Sequence, residues 1–154
     1  MLLDLRKLND VQLQQDGDRL IATVGAGCQI KHLLAKLDRQ GATLPSLGLI
    51  TEQTIAGAIS TGTHGSGNYS MSHFVEAVRL ARYDNASGKA IIEDVNDGEQ
   101  LQAARCSLGS LGIILAIKIR CRTQYNIQEH FSESTRLSDV LDAEASFPLQ
   151  QFYL

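Results

Sequence analysis

The chain has 154 residues, which is long enough for one domain with a substantial core. An apolar content of 44%, a charged content of 20% and a net charge of −3 are typical of a globular chain and give no electrostatic reason to expect a nucleic-acid or anionic-membrane partner. No apolar run approaches the ~18 residues of a membrane span, and the N-terminal residues do not have the pattern of a secretory signal. The cysteines are odd in number and widely spaced, which disfavours a disulfide framework. We therefore expect a cytoplasmic protein.

The first third of the chain predicts a β-hairpin followed by a helix. The turn signal DGD at 16–18 separates two short apolar stretches, which predicts a strand, a turn and a second strand over about 20–24. Apolar residues then recur at helical spacing over 29–37, and Gly41 is expected to end this helix. Pro45 favours an extended crossing beyond it.

The middle of the chain predicts a short helix, a second hairpin and a third helix. Thr51 is the expected cap of a helix over 52–60. The segments AVRLARYD and AIIEDV alternate like paired strands around the turn ASGK. Asp97 is the expected cap of a helix that runs to Leu108.

The last third begins with a clear strand. Apolar and basic residues alternate over 114–122, which predicts that strand. Beyond it, YNIQEHF predicts another strand and TRLSDVLDAEASF predicts a helix. The last residues, LQQFYL, predict the start of a strand. Hairpins join several of the consecutive strands, and helices are interspersed. We therefore predict an α+β fold with a mainly antiparallel sheet flanked by helices.

The turn VGAGCQIKHL has the order of a dinucleotide-binding turn, with a strand, Gly25-x-Gly27 and a helix. Its third glycine position is occupied by Ile30, and no acidic residue ends a second parallel strand. We therefore interpret it as a tight strand-to-helix turn.

The stretch TIAGAISTGTHGSG at 54–67 consists almost entirely of small residues. Its glycines at 62, 65 and 67 allow main-chain N–H groups to form a concave anion site, to which the neighbouring hydroxyls add donors. No lysine follows the glycines, so this is not a phosphate loop of the GxxxxGK[ST] kind. Two interpretations stay open: a flat ligand with an anionic tail lies against this backbone, or helix and sheet pack closely here.

His64 lies within this stretch and is the candidate for a proton-transfer or metal-binding role. No nucleophile elbow accompanies it, and His32, His73 and His130 are scattered without ligand spacing. We expect His64 to bond backbone within a tight turn. The sequence predicts no metal site, and no residue in it is a convincing general base.

A second small-residue turn, CSLGSLG at 106–112, joins a helix to the strand that begins at Ile113. One of its glycines can serve as a helix cap. The pair Gly109 and Gly112 again permits close approach, either by a ligand or by another backbone.

Taken in order, these patterns resemble the PCMH-type FAD-binding domain of the vanillyl-alcohol-oxidase flavoprotein family, and within it the aldonolactone and alditol oxidases. The similarity runs over about 2–123, and TIAGAISTGTHGSG is its most specific element. It implies FAD as cofactor, a second subdomain of that fold over 1–123 and the start of a cap domain over 124–154. The family's R-G-x-G-H-S loop, which clamps the pyrophosphate, does not occur in this sequence, so we expect a partial domain that is inactive as an isolated chain.

The resemblance also implies the cofactor-binding residues. The segment corresponding to 57–67 lines the flavin and its pyrophosphate, with Ala58 facing the ring, and the turn at 109–114 lies against the cofactor. Two residues of the extended crossing complete the expected set, which is Leu47, Gly48, Gly57, Ala58, Thr61, Gly62, Thr63, His64, Gly65, Ser66, Gly67, Gly109, Gly112, Ile113 and Ile114.

Two functions follow as hypotheses. In the first, the chain binds FAD within an oxidoreductase that oxidises a CH–OH group of a sugar lactone or alditol, with oxygen as the acceptor. In the second, it is a non-catalytic truncated remnant, and its apolar surfaces are buried by self-association or by a complementary subunit.

Overall fold

The computed structural model describes residues 3–151, and in that part of the chain it contains six strands and four α-helices. The strands are β1 (Val11–Asp16), β2 (Arg19–Gly25), β3 (Ala42–Thr43), β4 (Val75–Tyr83), β5 (Ala90–Val95) and β6 (Ile113–Thr123). The helices are α1 (Ile30–Asp38), α2 (Ile55–Ser60), α3 (Gly98–Arg105) and α4 (Leu137–Asp142), and a 3-10 turn at Met71–Phe74 leads into β4.

The strands form a sheet in the order β1-β2-β6-β4-β5, with the short β3 paired to the end of β6. Every pairing is antiparallel. The long strand β6 is central, and its residues Ile117 and Ile119 lie opposite Val24 and Ala22 of β2. The predicted α+β class, the two hairpins and the strand over 114–122 are therefore confirmed.

The core joins the buried face of the sheet to helices α1 and α2. Val24 and Ile117 of the sheet, Leu33 and Leu37 of α1 and Ile59 of α2 belong to one buried cluster, and each is at most 1% exposed. Burial of a side chain of this size contributes about 1.5–3 kcal/mol. The short helix α2 is thus held firmly against the core, and the loop that follows it starts from a fixed point.

Helix α2 begins later than the sequence predicts. Thr54, and not Thr51, is the residue before the first turn, and its Oγ1 accepts a 3.3 Å hydrogen bond from the amide of Gly57. The preceding residues are extended because the start of α1 binds them: Lys31 donates to the carbonyl of Thr51 over 2.9 Å, and Ile30 donates to that of Gln53 over 2.9 Å. Backbone pairing between distant segments outweighs the local capping signal.

The predictions for the C-terminal part of the chain are largely wrong. Residues 125–131 form no strand, the helix expected over 135–147 is limited to α4, and no α4 residue is buried. Residues 149–151 are not in a strand, and the rest of that predicted element, 152–154, lies outside the described residues. Helix α3 also ends early, at Arg105, since the next residue, Cys106, leaves the helical conformation with a φ of −142° and a ψ of 55°.

Across residues 3–151, no helix has the length and apolar character needed to span a membrane.

Candidate functional site

The glycine-rich loop, defined here as Thr61–Gly67, leaves the C-terminal end of α2. The amide of Gly62 donates to the carbonyl of Ile59 over 3.2 Å, and the amide of Thr63 donates to that of Ala58 over 3.0 Å. The carbonyl of Thr63 in turn accepts a 3.0 Å bond from the amide of Met71, which is buried. The first half of the loop is therefore tied to the core.

Two glycines are needed because the loop packs on the extended crossing. A Cβ on Gly65 would overlap the carbonyl oxygen of Leu47, and a Cβ on Gly48 would lie 2.7 Å from Cγ2 of Thr63. Such distances force backbone or side chains apart. For Gly48 and Gly65, the interpretation of close packing within the protein is correct.

The second half of the loop presents its amides differently. The N–H groups of His64, Gly65, Ser66 and Gly67 donate to no acceptor among residues 3–151. Ser66 and Gly67 are exposed, and Gly67 has a φ of 116°, a conformation that favours glycine. Successive unpaired N–H groups in a turn form a binding site for an anion. Close packing does not require glycine at position 67, because a Cβ there would lie 3.4 Å from Cδ2 of Leu149.

His64 has a structural role in the loop. Its Nδ1–H donates a 2.9 Å hydrogen bond to the carbonyl of Gly65, which confirms the expected bond to backbone. In the neutral imidazole this leaves Nε2 as an acceptor without a proton. The side chain therefore stabilises the turn, and this arrangement gives it no proton to donate from Nε2.

The hydroxyl of Thr61 is already engaged. Its Oγ1 donates over 3.0 Å to the carbonyl of Gly57 in the preceding turn of α2. The donor role that the sequence predicts for this hydroxyl is therefore corrected, because a hydroxyl has a single proton and this one serves the helix. Its oxygen still has acceptor capacity.

The second small-residue turn lies beside the loop. The amide of Leu108 donates over 3.2 Å to the carbonyl of Ser60, the last residue of α2, and Sγ of Cys106 donates to the same oxygen over 3.5 Å. A Cβ on Gly62 would be 3.6 Å from that sulfur. The structure thus brings together two segments that are some forty residues apart in sequence, as the prediction of one shared site requires.

The two glycines of this turn have different environments. A Cβ on Gly112 would lie 2.7 Å from the carbonyl oxygen of Ala81, so this glycine permits β6 to approach β4. Gly109 has a φ of 76°, and none of the described atoms lies within 4 Å of the position a Cβ would take. The close approach at Gly112 is by another backbone, whereas Gly109 faces open space.

Three of the predicted cofactor-binding residues are buried, namely Gly48, Ala58 and Ile114. Ala58 is 0% exposed and belongs to the core cluster, so its methyl group points into the protein. The side chain of Ala58 therefore offers no exposed atom to a ring on this surface. The other twelve predicted residues are half-buried or exposed.

Large apolar residues are exposed in the extended crossing and at the second turn, and sequence reasoning missed most of them. Leu49 is 96% exposed in the crossing, and Leu108 is 76% exposed in the turn. Leu111 and Ile113 are also exposed, although Ile113 alone was predicted to face a ligand. The signal available in the sequence was the presence of leucines inside turns that otherwise contain only small residues.

A shallow cleft lies next to the exposed half of the loop. Ser66 and Gly67 form one side of it, and the other side comes from the C-terminal segment, with Leu141, Glu144, Pro148 and Gln150. A Cβ on Gly67 would be 3.4 Å from Cδ2 of Leu149, which is ordinary contact. The carboxylate of Glu144 is thus a negative charge close to the proposed anion site.

An ion pair flanks the second turn, at the ends of β4 and β5. Arg82 binds Glu93 through two hydrogen bonds, Nε to Oε1 at 2.5 Å and Nη2 to Oε2 at 3.0 Å. Hydrogen bonding to this guanidinium lowers the pKa of the Glu93 carboxyl. Arg82 is therefore already paired, and its charge is largely compensated within the sheet.

No group of three or more His, Cys, Asp or Glu residues in the described part of the chain is placed to hold a metal ion.

Comparison with known proteins identifies relatives that match most or all of this chain. Residues 1–91 match a family described as the FAD binding domain. A "long-chain alcohol oxidase" from an uncultured marine euryarchaeote is 75% identical over 154 residues, which is 100% of this chain and 32% of that protein. The L-gulonolactone oxidase of Bos taurus is 33% identical over 144 residues, or 92% of this chain and 32% of that protein.

Solved structures with the same fold are also found. A "solvent-stable cholesterol oxidase" superimposes with a TM-score of 0.73 at 19% identity and covers 79% of this chain and 25% of that chain. At this identity the likeness shows the fold alone. The chain spans about a third of the length of the curated relatives it matches.

Proposed function

The chain belongs to the FAD-binding-domain family, and from that premise we propose that it forms one wall of the FAD site in an oxidase acting on a CH–OH group of a sugar lactone or alditol, with oxygen as the acceptor. The observation that carries the proposal is the row of four consecutive loop amides, His64 to Gly67, that have no acceptor among residues 3–151. His64, Ser66 and Gly67 are exposed, so their N–H groups are accessible to water and to a ligand, and an anionic ligand offers them a stronger acceptor than water does.

The chemistry of these donors fits FAD. The diphosphate of the cofactor offers oxygen acceptors with negative charge, which form stronger hydrogen bonds with N–H donors than neutral acceptors do. Gly67 is exposed and has a positive φ, and Ser66, which is also exposed, carries a hydroxyl that adds a donor. The residues present can therefore hold the diphosphate without any lysine or arginine.

The residues of this chain would hold the cofactor in position and exclude water from its surface. A bound flavin supplies the capacity to accept electrons from an alcohol carbon. Leu49 in the crossing and Leu108 and Ile113 at the second turn are exposed apolar residues, which are suited to contact the faces of a planar ring.

A second substrate class has specific support. The relative that is 75% identical over the full chain carries the name "long-chain alcohol oxidase", whereas the sugar-lactone oxidases are 33–40% identical over parts of it. Oxidation of a long-chain alcohol is also removal of two electrons from a CH–OH carbon. The same part of the FAD site is compatible with either substrate. A long-chain alcohol is therefore the second candidate substrate.

The same surface supports the proposed domain organisation and partners. The sheet ends at Thr123, and beyond it α4 buries no residue, in keeping with a flavin-binding unit over 1–123 and the start of a second unit over 124–154. Exposed residues such as Leu49 and Leu108 would be covered by further protein, either a second copy or a complementary subunit.

Titration of the purified chain with FAD, followed by flavin fluorescence, tests the binding proposal. We expect a saturable change with a dissociation constant in the micromolar range, and competition by ADP, because both ligands carry a diphosphate. No change at high micromolar FAD, with the chain shown to be folded by circular dichroism, would contradict it.

The substrate is tested on the polypeptide encoded by the complete reading frame that contains residues 1–154. Hydrogen peroxide release would be measured with an aldonolactone, an alditol and a primary alcohol of about ten carbons, which is longer than a sugar ring. Turnover of the lactone or alditol supports the first candidate, turnover of the alcohol alone supports the second, and no turnover of any contradicts the activity.

A further inference from the structure

The outer face of the sheet, which lies away from α1, α2 and α3, is exposed along the β4–β5 hairpin. Residues of all three helices belong to the buried cluster that also contains Val78 and Leu80 of β4. Because side chains alternate along a strand, Arg79, Ala81 and Tyr83 point to the other face. Tyr83 is 72% exposed, so this end of the outer face is open to solvent.

Three cross-strand pairs of β4 and β5 lie next to one another on this face, and we define these six residues as the outer patch. The pairs are Tyr83 with Ala90, Ala81 with Ile92, and Arg79 with Asp94. The larger side chain belongs to β4 in the first pair and to β5 in the second. In the third pair, Nε and Nη2 of Arg79 each donate a 2.7 Å hydrogen bond to the carboxylate of Asp94. Each pair therefore combines two unlike side chains, which differ in size or in charge.

The apolar part of the outer patch is unusual for a strand face that meets solvent. Solvent-facing positions of an antiparallel sheet are normally polar. The edge strand β1 follows this rule, with Gln12, Gln14 and Asp16 on the same face. In the outer patch, four neighbouring positions carry only alanine, isoleucine and tyrosine, and Ile92 is 67% exposed. Neighbouring exposed apolar residues of this kind are typical of an interaction surface.

The outer patch is complementary to a second copy of itself. We consider a two-fold axis that runs along the strands, midway between β4 and β5. Half a turn about this axis brings the β4 residue of each pair against the β5 residue of the same pair in the other copy. Each large side chain then meets an alanine, and each guanidinium meets a carboxylate. Every such contact occurs twice, as in any interface with two-fold symmetry.

The charges distinguish this arrangement from the neighbouring ones. An axis along β4 would bring Arg79 of one copy against Arg79 of the other, and an axis along β5 would bring the two Asp94 carboxylates together. Like charges that face each other across an interface are unfavourable. Between the two strands the charges alternate, and the two sheets can pack with nearly aligned strands about 10 Å apart.

We propose that the outer patch is a self-association site, at which two copies of this chain pack their sheets face to face about a two-fold axis between β4 and β5. The partner is a second copy because the same six side chains supply both halves of every contact. The inference goes beyond the proposed function and does not depend on FAD, since α2, from which the glycine-rich loop leaves, packs on the opposite face of the sheet.

Sedimentation equilibrium of the intact chain, without FAD, measures the association. We expect a monomer–dimer equilibrium with a dissociation constant on the order of 10–100 µM, because the patch is small and partly polar. Ile92→Glu should weaken dimerisation at least about tenfold, since its carboxylate would face an alanine in the apolar part of the interface. Circular dichroism and thermal unfolding verify that each variant is folded.

Ile127→Glu is the matched control. Ile127 is 67% exposed, as Ile92 is, but it lies in the segment after β6 and outside the outer patch. The substitution introduces the same charge at the same exposure and should leave the dissociation constant of the dimer unchanged.

Exchange of the charged residues tests the orientation of the two copies. Arg79→Asp makes both charged positions of the patch acidic, and Asp94→Arg makes both basic. Neither variant should associate with itself, whereas an equimolar mixture of the two should form a heterodimer. The double variant R79D/D94R restores opposite charges and should dimerise as the wild type does. High salt should weaken the heterodimer more than the wild-type dimer, because more of its attraction is between charges.

The outcomes separate this proposal from the function. A wild type that stays monomeric at about 500 µM, well above the expected dissociation constant, overturns it. A dimer that Ile92→Glu leaves intact, or that Ile127→Glu weakens equally, places the association on another surface and also overturns it. Failure of the mixed charge variants to form a heterodimer overturns the proposed axis. A dimer with these properties that does not bind FAD supports the self-association site and contradicts only the proposed function.

Discussion

Two glycine-rich turns of this chain look alike in sequence and differ in how their backbone amides are used. In the turn Gly25–Cys28 all four amides are paired, with the carbonyls of Asp10, Leu115, Leu8 and Gly25, at 2.8–3.0 Å. In the glycine-rich loop the four amides from His64 to Gly67 find no acceptor in the described part of the chain. The amides of the first turn are therefore satisfied within the protein, whereas the four amides of the glycine-rich loop are not.

The contact distances around the glycines agree with this difference. A Cβ on Gly27 would overlap the carbonyl oxygen of Leu5 and lie 2.6 Å from its carbonyl carbon, and a Cβ on Gly25 would lie 2.5 Å from the carbonyl oxygen of Leu8. A Cβ on Gly67 would meet only the flexible end of Leu149. Glycine therefore serves chain packing in the first turn, and in the second it allows main-chain donors to face outward.

The largest effect is expected for Gly27→Ala. Its methyl group would push against the backbone of Leu5, and overpacking of this kind costs about 2–3 kcal/mol in the free energy of unfolding. Urea denaturation followed by circular dichroism measures it. Gly17→Ala is the control, because Gly17 has a φ of 59° and open space around it, and it should cost only about 1 kcal/mol. Equal losses in the two variants would show that packing does not explain Gly27.

Next in size is the effect of Gly67→Ala on ligand binding. Alanine is strained at a φ of 116°, so the loop would rotate its amides away from the diphosphate, and FAD affinity should fall about tenfold. Gly88→Ala is the matched control, with a φ of 64° in the turn between β4 and β5 and no described atom near it. It should share the small loss of stability and leave FAD affinity unchanged. A tenfold loss in both variants would assign the effect to general destabilisation.

Thr54→Ala tests the role of Thr54 as the cap of α2, where its side chain accepts a hydrogen bond from a backbone amide of the helix. Loss of the bond from Gly57 N to Thr54 Oγ1 should lower the free energy of unfolding by about 1 kcal/mol, as for other helix caps. Thr51→Ala removes the residue that the sequence pattern favours as the cap, and should change stability by less than about 0.5 kcal/mol. A larger loss of stability in Thr51→Ala than in Thr54→Ala would contradict the observed start of α2.

The smallest effect is expected for Glu144→Gln. The carboxylate of Glu144 lines the cleft beside Ser66 and Gly67, and its charge repels a diphosphate there through water. The variant should bind FAD about two- to threefold more tightly at low salt, and the gain should shrink at high salt as screening increases. Glu129→Gln, in the same C-terminal segment but outside this cleft, should have no effect. A gain that is independent of salt would argue against an electrostatic cause.

The sequence predicted the sheet well because its elements carry local signals. Alternation in β6 and the turn signals of both hairpins depend only on nearby residues, and each strand is found where the pattern placed it. The start of α2 was misplaced because distant backbone pairing at Thr51 decides it. The strand predicted over 125–131 fails since a strand needs a partner edge, and none of the described strands pairs with it.

The candidate site was predictable as a segment but not atom by atom. Small residues at 61–67 marked the loop, yet only the coordinates reveal that Gly65 is required by the carbonyl of Leu47 while Gly67 is open. Likewise, the side chain of Ala58 lies in the core, and the carbonyl of Tyr69 accepts a hydrogen bond from Oγ of Ser46, which is far away in sequence. Contacts of this kind depend on how segments meet in space.

The most direct test of the central claim, that the loop amides bind the diphosphate, is an NMR titration of the ¹⁵N-labelled chain with ADP. The account predicts that the amide resonances of residues 64–67 shift progressively and saturate, whereas those of residues 25–28, which are paired within the protein, stay in place. Saturable shifts at residues 25–28, or none at residues 64–67 while ADP binds, would contradict it.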